Sequence, residues 1–71
     1  MDITLAELEQ AINYWRGLRP STGEERALSV EVNALANVYA MMILERRKSI
    51  AVEPLDMDVR ALLDAWRRGV V

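Results

Sequence analysis

The sequence contains no cysteine and no histidine among its 71 residues. Without cysteine, the chain has no disulfide scaffold, thiolate zinc site, iron–sulfur cluster or cysteine nucleophile. Without histidine, it has no imidazole metal ligand, no Ser-His-Asp triad and no side chain whose ordinary pKa suits a general base near neutral pH. Its three glycines form no phosphate-binding pattern. We therefore predict a protein that is not an enzyme and binds no cofactor.

Long apolar stretches are also lacking. The longest, Val38–Leu44, has seven residues, whereas a membrane-spanning helix needs about 20. Residues 1–4 do not form a basic lead into an apolar segment, so we expect no signal peptide. These observations predict a cytoplasmic protein with no membrane contact. The absence of cysteine suits a reducing cytoplasm and a small exported protein equally well.

The composition is that of a globular protein. Hydrophobic residues make up 52% of the chain and charged residues 28%, whereas disordered chains have fewer apolar residues and a larger net charge. We expect one domain, residues 1–71, near the lower size limit for a self-sufficient core. The net charge of −2 argues against a polyanionic partner.

The first helix is predicted over residues 5–16 from its starting signals. Thr4 and Glu7 have the spacing of a capping box, in which each side chain bonds to the other's backbone N–H. Ile3 and Leu8 occupy the two positions of a hydrophobic staple. Four apolar residues then follow at helical spacing.

The second helix has a less definite start. Gly17 is expected to end the first helix, and Ser29 offers a cap for the next. We predict a short helical turn over residues 24–28 and a long helix over residues 30–48. One uninterrupted helix over residues 24–48 is the alternative.

The third helix is predicted over residues 57–68. Asp56 or Asp58 can cap it, and a cap at Asp58 makes Met57 and Leu62 its hydrophobic staple. The two aspartates also suggest a divalent cation, but such a site needs about six oxygen ligands, so capping is the better explanation.

Further signals lie within the third helix, at its end and in the segment before it. Asp64 lies four positions from both Arg60 and Arg68, the spacing of helical ion pairs, and Gly69 is expected to end the helix. Before the helix, residues 49–54 are predicted to be an extended connection rather than a strand, because a lone strand has no partner.

Three amphipathic helices with short connections predict an all-α, compact three-helix arrangement. The expected core consists of the apolar residues on the three inward faces: Leu5, Leu8, Ile12, Trp15, Val32, Leu35, Tyr39, Met42, Ile43, Val59, Leu62, Leu63 and Trp66.

The central helix carries apolar residues on more than one side. Val38, Met41 and Leu44 lie away from the predicted inward stripe. Either the neighbouring helices nearly surround the central helix and bury these residues, which is the favoured interpretation, or the three residues form an exposed patch for a partner.

Basic residues are concentrated at the ends of two predicted helices. A nucleic-acid interface would use Arg46, Arg47, Lys48, Arg67 and Arg68 as polyanion contacts. Three aspartates in the third helix oppose this interpretation, as does the long connection before that helix, which exceeds a helix-turn-helix turn.

The first two thirds of the chain resemble a family of short, uncharacterised bacterial proteins of about 70 residues. Residues 5–16 and 19–28 carry the resemblance, with Ala11-Ile12-Asn13 and Trp15 the most distinctive part, and it covers residues 1 to about 48. The resemblance implies a bacterial origin and no site. Asn13 lies off the apolar face of its helix, where it either makes a specific surface contact or is an ordinary solvated residue.

The leading hypothesis is a protein–protein interaction module, with an unidentified protein or a second copy of the chain bound through the central helix. The alternative is a small nucleic-acid-associated regulator that uses the basic helix ends. A subunit that completes the active site of another protein ranks third.

Overall fold

The computed structural model describes residues 2–18 and 29–69. The elements in chain order are β1 (Asp2–Thr4), α1 (Leu5–Leu18), α2 (Val30–Leu44), β2 (Ser49–Ala51) and α3 (Met57–Gly69). The three predicted helices are confirmed. The prediction of a strictly all-α fold is wrong, because β1 and β2 form a small antiparallel sheet.

The start of α1 follows the predicted capping box. The backbone N–H of Thr4 donates to Oε1 of Glu7 at 2.9 Å, and the N–H of Glu7 donates to Oγ1 of Thr4 at 3.1 Å. Ile3 and Leu8, the two staple residues, are both fully buried in the core. The predicted stop at Gly17 is wrong, since Gly17 stays within α1 and lacks the left-handed φ of a terminating glycine.

The capping box makes stability depend on pH. The pKa of Glu7 is lowered from its usual value of 4.5, mainly because the Thr4 N–H bonds to its carboxylate. The stabilisation is therefore present above the unfolded-state pKa and is lost as pH falls through the lower folded-state pKa. We expect Glu7→Gln, which keeps an acceptor oxygen but does not titrate, to lose less stability than wild type between about pH 6 and pH 3. Urea unfolding at several pH values measures this, and equal pH profiles would contradict it.

The start of α2 is set by Ser29. Its backbone is extended and its hydroxyl accepts from the N–H of Val32 at 3.2 Å, which confirms the predicted cap. The helix begins there, so a helix continuous through Ser29 is wrong. The predicted turn over residues 24–28 lies outside the described residues.

The end of α2 comes earlier than predicted. The helix ends at Leu44 rather than at Lys48, and Arg46 adopts a left-handed φ of 56°. Beyond that point the chain joins the sheet, where the carbonyl of Lys48 accepts from the N–H of Leu5 at 2.8 Å. Pairing with a distant segment therefore replaces the last predicted helical turn.

The sheet explains the extended segment after α2. Its register pairs Asp2 with Ala51, Ile3 with Ile50 and Thr4 with Ser49. Residues 49–54 were predicted to lack a partner, which is wrong. The partner is β1, three residues that directly precede α1 and show no strand pattern of their own.

The start of α3 corrects one prediction. Asp56 immediately precedes the helix, and its carbonyl accepts from the N–H of Arg60 at 3.0 Å. Asp58 lies in the first turn. The staple predicted for Met57 is wrong, because that side chain is 81% exposed.

Two side-chain interactions lie further along α3, and the first of them was predicted from the sequence. Nη2 of Arg68 lies 3.0 Å from Oδ2 of Asp64, which confirms that predicted ion pair. The indole Nε1–H of Trp15 donates to the carbonyl of Leu62 at 3.1 Å and joins α1 to α3.

One core contains residues from all three helices, β1 and the segment after β2. Most of the predicted members are buried or packed against it, but Ile43 is 50% exposed and its assignment to the core is wrong. Sequence periodicity missed Ala11 and Val52, which are buried members. Val32 is also buried. The buried residues that form the connected core cluster are Ile3, Leu8, Ala11, Leu35, Met42, Val52, Val59, Leu63 and Trp66.

Candidate protein-interaction surface

The exposed side of α2 is uncharged. Among the fifteen residues of this helix, Glu31 is the one charged residue. The buried side is formed by Val32, Leu35 and Met42. The exposed positions are Val30, Asn33, Asn37, Ala40, Met41, Ile43 and Leu44. In a protein in which 28% of residues are charged, a helix with this exposed side differs from an ordinary solvated helix.

Within this side, Val38, Met41 and Leu44 follow one another at intervals of three residues. Met41 is 59% and Leu44 is 81% exposed, whereas Val38 is half-buried against the core. The favoured interpretation, in which neighbouring helices nearly surround α2, is therefore wrong for Met41 and Leu44. We call these three residues the α2 patch.

A groove of about 290 Å³ runs beside the α2 patch. One wall comes from α2 and the turn after it, and the other from β2 and the connection to α3. We call it the α2–β2 groove; its lining consists of Val38, Met41, Met42, Glu45, Arg47, Ile50, Ala51, Pro54 and Leu55. The groove continues the apolar surface of the patch towards the sheet.

The outer edge of β2 adjoins this groove. The bond from the Leu5 N–H to the Lys48 carbonyl fixes the ladder, so Ile50 directs its N–H and C=O towards β1. The N–H and C=O groups of Ser49 and Ala51 consequently point away from β1. In the part of the chain that the structure describes, these outward groups have no hydrogen-bond partner.

Sequence reasoning missed the β2 side of the groove. Ile50 and Val52 alternate with smaller or polar residues, which is a strand signal, but a strand of three residues is too short to recognise without its partner.

The basic residues predicted as polyanion contacts lie on two elements. Arg46, Arg47 and Lys48 follow α2, and two further arginines end α3. The guanidinium Nε of Arg47 lies 2.7 Å from Oε1 of Glu45. Arg68 pairs with Asp64, as described above. Arg47 and Arg68 are therefore paired with carboxylates of their own chain.

A family model for proteins of unknown function, DUF3717, matches residues 1–68. The chain belongs to the DUF3717 family. This confirms the resemblance and extends it past residue 48. The chain matches no curated protein and no solved structure.

In this DUF3717 member, the Ala11-Ile12-Asn13 segment turns from the core to the surface within three residues. Ala11 is buried, Ile12 is half-buried and Asn13 is exposed beside a second groove between α1 and α2. In the same groove, the Tyr39 hydroxyl donates to Oε1 of Glu9 at 2.5 Å, and this bond raises the pKa of Tyr39. Asn13 therefore has a surface position that suits either interpretation.

Over residues 2–18 and 29–69, no three acidic side chains lie close enough together to hold a metal ion. Over the same ranges, no helix has the length and apolar character needed to cross a membrane.

Proposed function

We propose that this DUF3717 member is a non-enzymatic protein–protein interaction module whose contact surface is the α2 patch. The observation that carries the proposal is the exposure of Met41 and Leu44 on a helix side without charge. Burying apolar surface is favourable by roughly 25 cal/mol per Å². A partner that covers the α2 patch therefore binds with a free energy that grows with the apolar area it covers. Apolar surface gathered in one place is typical of such contacts.

The side chains of the patch suit a protein surface. Methionine is flexible and polarisable, so Met41 adapts to a partner of irregular shape. The adjoining groove offers the same partner an apolar depression beside the patch. Patch and groove together form a continuous surface on one side of the molecule.

The charges favour a protein partner over a nucleic acid. The chain has a net charge of −2, and Arg47 and Arg68 already form ion pairs. Binding to phosphates depends on cations that release counterions, and cations held by neighbouring carboxylates contribute less. We also propose a cytoplasmic location, which suits a chain without cysteine.

The test compares two exposed methionines. Met41 lies in the patch, whereas Met57, 81% exposed, lies at the start of α3. We expect Met41→Glu and Leu44→Lys to reduce binding of protein partners by at least about 10-fold, because a charge must then be desolvated at the interface. Met57→Glu, the matched control, is expected to bind as wild type does. Light scattering over a concentration series and affinity capture from the producing cells measure both kinds of partner.

Circular dichroism shows whether each variant keeps its helices. Folded Met41→Glu and Leu44→Lys variants that both retain every interaction of the wild type would contradict the proposed contact surface. Equal losses in Met41→Glu and Met57→Glu would also contradict it, because the effect would then come from added charge rather than from position.

A further inference from the structure

We infer that the partner seated at the α2–β2 groove is a second copy of this chain, whose β2 pairs with the first β2 in antiparallel orientation. This inference rests on the proposed function and names its partner. The product is a four-stranded sheet with the order β1, β2, β2 and β1, closed by a two-fold axis.

The hydrogen-bonding groups of the edge are self-complementary. With the two-fold axis at Ile50, Ser49 of each copy faces Ala51 of the other. Both residues direct N–H and C=O outward, so the two facing pairs form four hydrogen bonds between the copies. A shift by one residue would place inward-directed groups at the edge and lose these bonds.

The apolar side chains follow the same symmetry. Ile50 lies on the same face of the sheet as Ile3, which is fully buried in the core. At the axis, the two Ile50 residues form a non-hydrogen-bonded pair, in which side chains of facing strands lie closest. Met41 and Val38 line the groove beside Ile50. The pairing therefore brings apolar side chains from both copies together beneath the new sheet.

The charges on the two sides of β2 are opposite. Arg46 and Lys48 precede the strand, together with Arg47, which is held in an ion pair with Glu45. Glu53, Asp56 and Asp58 follow the strand within seven residues. Antiparallel pairing lays the basic side of one copy beside the acidic side of the other. Parallel pairing would place like charges together, so electrostatics selects the antiparallel arrangement.

The assembly ends at two copies. The outer edge of β1 contains the N–H of Thr4, which donates to Glu7 in the capping box. That donor is occupied and unable to recruit a fifth strand.

The test removes one outward donor. The N–H of Ala51 takes no part in the pairing with β1, so proline is compatible with the monomer at this edge position. Ala51→Pro removes two hydrogen bonds from each dimer, and we expect the dissociation constant of the dimer to rise by about 10-fold or more. Ala51→Ser keeps the N–H and is expected to stay within about 3-fold of wild type. Sedimentation velocity over a concentration series measures both values.

Amide hydrogen exchange measures the pairing of the two β2 strands at each residue separately. The amides of Ser49 and Ala51 are expected to exchange more slowly as protein concentration rises, whereas that of Ile50 is protected by β1 at every concentration. The dissociation constant is also expected to rise with salt, because the facing charges are exposed and screened.

The outcomes separate this inference from the proposed function. A dimer weakened by both Ala51→Pro and Met41→Glu supports both. A dimer weakened by Met41→Glu alone overturns strand pairing and supports the contact surface. A strict monomer that binds another protein, and loses that binding in Met41→Glu, leads to the same two conclusions. A dimer that neither substitution changes overturns both.

Discussion

Replacing Leu35 with alanine is expected to lower the free energy of unfolding by about 2–5 kcal/mol. Leu35 is fully buried, on the inward side of α2, in the cluster that unites the helices. Truncation removes buried methyl groups and leaves a cavity whose walls close only in part. A domain of this size has on the order of 4–10 kcal/mol of total stability, so the variant loses about half of it.

Urea unfolding followed by circular dichroism measures this loss, at a protein concentration low enough to exclude self-association. The matched control is Leu44→Ala, the same substitution on the same helix at a side chain that is 81% exposed. We expect the control to change stability by less than about 0.5 kcal/mol. Similar losses in the two variants would contradict the orientation of α2.

Replacing Ile3 with alanine is also expected to cost about 2–5 kcal/mol. Ile3 is fully buried although it lies in a three-residue strand near the start of the described chain. Its side chain joins the core cluster, and its backbone pairs with Ile50. Truncation therefore weakens the contact that connects the sheet to the helices.

The control for this prediction is Ile43→Ala. Periodicity assigned Ile43 to the core, but it is 50% exposed, so we expect a change of less than about 1 kcal/mol. Urea unfolding of the two variants under identical conditions compares them directly. A larger loss in Ile43→Ala than in Ile3→Ala would favour the core expected from the sequence over the observed one.

The helix starts were predictable because their causes are local. The hydrogen bonds between Thr4 and Glu7 and the cap from Ser29 to Val32 each join residues three positions apart. Side chains at this spacing meet whenever the helix forms, whatever surrounds it. The ion pair between Asp64 and Arg68 is local in the same way.

The sheet was not predictable, because its two strands lie more than forty residues apart in the sequence. Neither strand carries enough residues to show alternation, and each is stabilised by the other. The same pairing ends α2 at Leu44, since Lys48 bonds to Leu5 rather than continuing the helix. Helix propensity and basic residues near the end of α2 had favoured a longer helix, and a long-range contact outweighed them.

The sequence by itself determined the three helices, the caps at Thr4 and Ser29, and the presence of apolar residues on more than one side of α2. Spacing along a helix decides which side chains share a face. Only the tertiary structure decided that Met41 and Leu44 are exposed while Val38 packs against the core. It also decided that an open strand edge lies beside them. Exposure depends on where α1, α3 and β2 come to rest, and that position results from the combined packing of side chains distant in sequence.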